Sequence, residues 1–155
     1  NEIDALSIDL QEADKILDVN LKATMHCTSY CVPYIKQTKR AYPHIQCSVI
    51  VLCSDVSEVR ATGAKKAIYA SSKWGLLGFT ECLFDELCEF GIKVCAILPG
   101  WANTDQPRKY NADNVDWTKC VQPSDVGDAV KYILNCSDTV CPFKMCLWPQ
   151  RNPER

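Results

Sequence analysis

Hydrophobic and polar positions along this chain follow two periods, and each change of period marks an element. Asp9-Leu10-Gln11-Glu12 has Asp first and Glu three residues later, the capping-box pattern that opens a helix. The stretch behind it carries Ile16, Leu17, Val19, Met25, Val32 and Ile35 and predicts a helix to about residue 37, with Pro33 placed to kink or end it. Residues 38–46 are polar and broken by Tyr42-Pro43. Cys47-Ser48-Val49-Ile50-Val51-Leu52-Cys53 is short, apolar and mostly β-branched, as a strand buried on both faces is. A loop over residues 54–66 contains Thr62-Gly63. Helical spacing returns over residues 67–90, where Leu76, Phe79, Leu83 and Leu87 form a stripe and Gly91 supplies a cap. Residues 92–98 read as a second buried strand that stops at Pro99-Gly100. A polar stretch over residues 101–121 precedes a helix that starts at Pro123-Ser124-Asp125 and runs to about residue 136. Residues 144–148 form the last strand candidate, and the tail from Pro149 is polar.

The order is therefore helix, strand, helix, strand, helix, strand. Such alternation implies right-handed crossovers, hence an α/β fold: a doubly wound parallel sheet with helices on both faces. Only three strands are present, and a ligand crevice in such a sheet needs strands on both sides of a topological switch point. The first strand also lacks a partner on its outer edge, which something beyond these residues is expected to cover.

Composition narrows the class. The chain has 155 residues, 47% apolar and 23% charged, a length and balance that suit one soluble domain. The net charge of −2 and pI near 5.7 give no electrostatic footprint for nucleic acid. No apolar run approaches the ~20 residues of a membrane span, and no signal-peptide pattern follows Asn1. A chain starting at Asn1 is expected to be internal to a longer one. Eleven cysteines are many, yet the paired Cys-x-x-Cys spacing of a zinc site is absent. They are expected to be reduced, mostly buried and without a metal, in a cytoplasmic protein.

The candidate chemistry begins at Tyr69-Ala70-Ser71-Ser72-Lys73. Four residues apart on a helix, Tyr69 and Lys73 share a face. A phenol titrates near about 10, and a neighbouring cation lowers that. Such a phenol can exchange a proton with a carbonyl or alcohol oxygen near neutral pH. The pair alone is weak, since any helix can carry it. Its context is stronger: it follows a buried strand ending at Leu52-Cys53-Ser54 and precedes one ending at Pro99-Gly100-Trp101-Ala102-Asn103-Thr104. Strand C-termini are where α/β sheets bind ligands.

With Asp18-Val19-Asn20-Leu21 upstream, this set resembles the short-chain dehydrogenase/reductase family. Asp18 to Leu21 looks like its helix asparagine motif, and Tyr69 and Lys73 match its Tyr-x-x-x-Lys. Pro99, Gly100 and Thr104 look like its Pro-Gly-x-x-x-Thr segment, and Pro123-Ser124-Asp125-Val126 resembles its C-terminal end. The resemblance implies an oxidoreductase that reduces a carbonyl or oxidises an alcohol by hydride transfer. Tyr69 would be the general acid/base, Lys73 would lower its pKa and hold nicotinamide ribose hydroxyls, and Asn20 would support a proton-relay water. Pro99, Gly100, Ala102 and Thr104 would line the nicotinamide, and Trp101 would wall the substrate pocket. The implied cofactor is NADP or NAD, with a slight lean to NADP. The implied partners are a small carbonyl or alcohol substrate and further copies of the chain, as a homodimer or homotetramer built on the helices near Asn20 and Tyr69.

Two departures stand against a simple transfer. Where the family has two serines and uses the second, this chain has Ser54-Asp55. Ser54, 15 residues before Tyr69, is the candidate catalytic and substrate-polarising serine, with Ser57 as an alternative. None of the six glycines forms a phosphate-binding loop. Residues 1–155 therefore read as one partial domain, the catalytic half, without the dinucleotide-binding half. A non-catalytic scaffold and an inactive fragment are the competing readings.

Overall fold

The computed structural model describes residues 9–53, 66–110 and 114–154. A long helical arm opens with α1 (Leu10–Leu17), passes through a π-helical stretch (Asp18–Lys22) and continues as α2 (Ala23–Ala41). Then come β1 (Cys47–Leu52), α3 (Ala67–Leu87), a 3₁₀ turn (Cys88–Phe90) and β2 (Ile92–Pro99). The chain ends with α4 (Asp105–Tyr110), a second 3₁₀ turn (Trp117–Lys119), α5 (Pro123–Asn135) and β3 (Lys144–Leu147). The strands make one parallel sheet in the order β1-β2-β3. Cys47 to Leu52 of β1 pair with Ile92 to Ile97, and Ala96 to Pro99 pair with Lys144 to Leu147.

β2 is the axis of the fold, and every residue from Ile92 to Leu98 is buried. Its side chains alternate between two layers, as the period of a strand requires. Ile92 and Val94 pack with Leu83 and Leu87 of α3 and with Val32 and Ile35 of α2. Ala96 and Leu98 pack with Leu76, Leu77 and Val51. On the other face, Cys95 and Ile97 meet Ala129 and Ile133 of α5. Each Leu or Ile so buried contributes roughly 1.5–3 kcal/mol relative to exposure. Lys93 belongs by parity to the α5 face and is almost wholly buried there. It donates to the carbonyls of Cys136 (2.6 Å) and Ser137 (2.9 Å), just past the C-terminus of α5. A cation there answers the partial negative charge of the helix end.

The local signals explain the element ends. Asp9 accepts from the backbone N–H groups of Gln11 (2.9 Å) and Glu12 (3.4 Å), so the expected N-cap of α1 is present. α5 starts with Pro123 at its first turn, and the Asp125 carboxylate accepts from the Gln122 N–H at 2.7 Å. Gly91 closes the 3₁₀ turn after α3 in the left-handed region, at φ +66°.

The structure corrects several expectations. The arm runs to Ala41, beyond residue 37, because Pro33 sits within α2 without ending it. It is not one regular α-helix, since Asp18–Lys22 is π-helical. β1 is less buried than expected: Cys47 to Ile50 are half-buried, because among the described residues no strand pairs with its outer edge. All eleven cysteines are free, but they are not mostly buried. Cys53, Cys95 and Cys120 are buried, whereas Cys27, Cys31, Cys82, Cys88 and Cys146 are exposed. Four of these five lie on α2, α3 and the 3₁₀ turn after α3, and Cys146 lies on β3, the strand at the sheet's end. Trp74 on α3 is 46% exposed, so it is not part of the core.

Candidate active site

Two helices bring the first candidate residues together. Asn20 lies at the centre of the π-helical stretch. Such a stretch widens the helix by a residue and turns side chains out of the α register, and π-bulges are frequent at functional sites. The Asn20 Nδ2 donates to Ser72 Oγ at 3.2 Å, and Ser72 Oγ donates to the Tyr69 carbonyl at 2.7 Å. Ser72 is fully buried, so this chain of bonds ties the arm to the first turn of α3. The helices approach closely at Gly75. A Cβ there would lie 3.0 Å from Leu21 Cδ2 and 3.2 Å from Leu21 Cδ1, so the missing side chain lets Leu21 pack down beside Asn20.

Tyr69 and Lys73 are both half-buried on α3. Lys73 Nζ lies 5.7 Å from the centroid of the Tyr69 ring. Burial lowers the Lys73 pKa, with the Cys53 thiol opposing as a nearby negative group when ionised. Cys53, just past the end of β1, is pushed up to about 11 by burial, while the Lys73 charge and a bond with Thr80 oppose that rise. The mutual influence of Lys73 and Cys53 locates the ammonium near the C-terminal end of β1. Among the described residues, no carboxylate pairs with Lys73 Nζ and no oxygen accepts from it.

The Pro-Gly segment sits at the C-terminal end of β2. Pro99 and Gly100 are half-buried, and the Gly100 N–H donates to the Leu147 carbonyl at 2.9 Å. Ala102 forms a parallel bridge with Val121, and Thr104 is exposed with its N–H donating to the Ala102 carbonyl at 3.0 Å. The polar stretch that follows bonds to itself. Asn103 Nδ2 donates to Gln122 Oε1 (2.8 Å), Arg108 donates to Asn103 Oδ1 from Nε (2.9 Å) and Nη2, and the Arg108 guanidinium lies 5.4 Å over the Trp117 ring. Trp101 is half-buried and meets Trp117 edge-on, with ring centroids 6.5 Å apart.

The structure thus joins Asn20 to the Tyr69 turn and brings Lys73 against Tyr69 and the end of β1. It places Pro99, Gly100, Trp101 and Ala102 at the end of the adjacent strand. Ser54, Asp55 and Ser57 lie outside the described residues. Ser72 escaped the sequence reading as a site residue, although it stands inside the Tyr-x-x-x-Lys motif. Its buried position three residues after Tyr69 is the only cue, and a serine in a helix interior has many bland uses. The π-helical register has no signature in the sequence. Among the described residues, no cluster of three His, Cys, Asp or Glu side chains could hold a metal, and no helix is long and apolar enough to cross a membrane.

A parallel sheet flanked by helices, with a Tyr/Lys pair, a bonded Asn and a Pro-Gly segment at the strand C-termini, defines an α/β protein with its candidate site at that end of the sheet. The comparisons give the family. The model of the short chain dehydrogenase family matches residues 2–115, and the chain belongs to that family. It is 29% identical over 135 residues to nodulation protein G of Azospirillum brasilense, covering 83% of this chain and 52% of that protein. It is 30% identical over 125 residues to an uncharacterized oxidoreductase of Staphylococcus epidermidis, covering 81% and 50%. Among solved structures, a β-ketoacyl-[ACP] reductase from Bacteroides thetaiotaomicron superposes with a TM-score of 0.73 at 26% identity, covering 94% of this chain and 56% of that one. A 3-ketoacyl-(acyl-carrier-protein) reductase from Brucella melitensis, complexed with NADH, reaches 0.83 at 18% identity, covering 97% and 62%. The chain spans about half the length of the curated relatives it matches.

Proposed function

We propose that this chain supplies the catalytic half of a nicotinamide-dependent oxidoreductase that interconverts a carbonyl and an alcohol. The observation that carries the reading is the half-buried Lys73 ammonium, 5.7 Å from the Tyr69 ring and without an acceptor of its own among the described residues. A cation so placed favours the phenolate of Tyr69, and its three donors suit vicinal hydroxyls such as those of a ribose. The family membership and the reductases among the structural neighbours support the same reading. When bound, the nicotinamide supplies or accepts the hydride.

In this reading Tyr69 holds the transferred proton at its phenolic oxygen, and Lys73 lowers the cost of the phenolate. Asn20, held by Ser72, positions a proton-relay water. Pro99, Gly100, Ala102 and Thr104 form the wall for the nicotinamide, and Trp101, braced by Trp117, walls the substrate. Ser54 is the proposed donor to the substrate oxygen, with Asp55 beside it. Neighbours with NADH and with NADP+ leave NADP and NAD both open. Exposed Val19, Tyr30, Tyr34 and Trp74 on the α-helical side are the surface proposed to bury in a homodimer or homotetramer.

The test is turnover of NAD(P)H with small ketones by the whole protein. Tyr69→Phe is expected to lower kcat by at least ~10² with the fold intact, the scale of a lost general acid. Unchanged turnover removes Tyr69 from that role, and no turnover in the parent favours a non-catalytic scaffold. Residues 1–155 alone are expected to bind the dinucleotide weakly, since no glycine-rich phosphate loop is present. Binding at micromolar Kd or tighter by calorimetry refutes that.

A further inference from the structure

Under α5, away from the site above, two thiols touch. Cys95 Sγ of β2 lies 3.7 Å from Cys141 Sγ, and both cysteines are free. Cys95 is fully buried, and Cys141 is half-buried in the segment between α5 and β3. The backbone holds the two together: the Ala96 N–H donates to the Phe143 carbonyl at 2.8 Å, and Cys141 Sγ donates to the Val94 carbonyl at 3.3 Å. A third thiol, Cys136, is half-buried at the C-cap of α5, close enough to Cys95 to act on its charge. Lys93, which bonds the Cys136 carbonyl, also acts on Cys95 as a cation.

We propose that Cys95 and Cys141 are a reversible dithiol/disulfide pair, a thiol-modification site that locks β3 onto the central strand. A disulfide needs sulfurs about 2.05 Å apart, so closure is a movement of roughly 1.7 Å from the 3.7 Å contact, within reach of side-chain rotation. The bond would join adjacent chain segments of the sheet, where paired backbones already fix the geometry.

The order of events follows from access. Cys95 is shut in the core, and burial together with the neighbouring Cys141 pushes its thiol up to about 12. Cys141 is therefore the entry point. With a low-molecular-weight disulfide such as oxidised glutathione as oxidant, the Cys141 thiolate attacks one glutathione sulfur. This forms a mixed disulfide and releases one glutathione thiolate. The Cys95 sulfur then attacks Cys141 Sγ, the second glutathione thiolate leaves, and that thiolate takes the Cys95 proton. Two protein thiols and one glutathione disulfide become one protein disulfide and two glutathione thiols. The core position of Cys95 makes the second step the slow one.

The experiment treats the protein with oxidised glutathione, blocks remaining thiols, and maps tryptic peptides without reduction. Residues 94–108 contain Cys95 as their only cysteine, and residues 132–144 contain Cys136 and Cys141. A cross-linked pair of these peptides, about 2 Da below the sum of the two free ones and reversed by dithiothreitol, is expected. It should persist in Cys136→Ser and vanish in Cys141→Ser, a half-exposed position where folding is checked by circular dichroism. The oxidised protein should melt higher by about 5 °C or more, because the link closes a long loop. No linked pair in the parent, or a linked pair that survives Cys141→Ser, overturns the proposal.

Discussion

Lys93→Met gives the most direct test of how the fold is held. The ammonium is buried and makes two short bonds to carbonyls past the end of α5, at 2.6 Å to Cys136 and 2.9 Å to Ser137. A third contact, to Gln46 Oε1 at 3.5 Å, is weak. Met keeps the apolar stem and removes the charge. The Cys136 carbonyl does not become an orphan, since Gln46 Nε2 also donates to it at 2.9 Å. The Ser137 carbonyl keeps a donor too, the Val140 N–H at 3.1 Å, so the loss is that of charge-assisted hydrogen bonds, about 1.5–3 kcal/mol. Loss of the cation at the helix terminus adds roughly 0.5–1 kcal/mol. The expected destabilisation is therefore about 3 kcal/mol, or ~6–12 °C in Tm for a protein of this size. Urea unfolding, with an unchanged m value, measures it. The same argument makes Gln46→Leu nearly silent alone but costly in the Lys93→Met background, because only then does the Cys136 carbonyl lose both donors. A loss below ~0.5 kcal/mol for Lys93→Met, or strict additivity of the pair, would refute the reasoning.

Four further outcomes follow. Gly75→Ala gains roughly 1 kcal/mol of helix propensity but forces Leu21 aside by a few tenths of an ångström. It is expected to leave Tm within a few degrees while lowering turnover of the whole protein by moving Asn20; unchanged turnover means the close approach does not set the site. Gly91→Ala places a side chain at φ +66° against Lys39 Cε at 3.2 Å, and should cost about 1–2 kcal/mol in denaturant unfolding. Alkylation at pH 8 with mass mapping should label Cys27, Cys31, Cys82, Cys88 and Cys146 and spare Cys53 and Cys95 in the native state, since burial raises both thiols to about 11 and about 12. For the same reason stability should fall above pH 9: the native state keeps thiol protons that the unfolded state has released. Lys73, whose pKa is lowered, works in the opposite direction just below its ordinary value, but it is one group against three thiols, since burial raises Cys120 as well.

How much could be read beforehand depended on whether a feature has a local cause. The strands, α3 and α5 were legible, since a buried strand must be apolar and an amphipathic helix must carry its stripe. Leu76, Leu83 and Leu87 are buried as that stripe requires, with Phe79 packed beside them. Gly91 and Asp9 were legible as caps because their conformations demand those residue types. The extent of the arm was not, because a proline late in a helix is read as a stop, and only packing against β1 and β2 carries the helix past it. Of the site, Tyr69, Lys73, Asn20 and the Pro-Gly segment were visible as motif residues. The contacts among them were not, because Asn20 and Ser72 are 52 positions apart and nothing in either segment announces the other. The mostly exposed or half-exposed cysteines show the same limit: residue type predicts burial only on average, whereas helix phase decides it.

The π-helical stretch, Ser72 and Gly75 are three answers to one geometric demand. An amide on one helix must reach the first turn of another. In a regular α register, residues 18 to 22 would carry Asn20 round the helix by a fixed angle set by its neighbours that pack on the core. Widening the turn at Asp18–Lys22 uncouples Asn20 from those neighbours. Omitting a side chain at residue 75 lets the two helices close until Leu21 lies against the α3 backbone. Only at that separation can a side chain as short as Ser72 span the gap, accepting from Asn20 and donating to the Tyr69 carbonyl with one hydroxyl. Each device is weak alone. A π-turn costs helix stability, a helical glycine costs about 1 kcal/mol, and a buried serine is worthless without a partner. Their joint presence, all directed at the turn that carries Tyr69, is the argument that the position of that turn matters to what the protein does. Ser72→Ala separates this from simple packing. It removes no volume that the core needs, yet it leaves the Asn20 amide without its acceptor. The expectation is a loss of turnover in the whole protein that exceeds the loss of stability, and equal, small effects on both would make the three devices structural only.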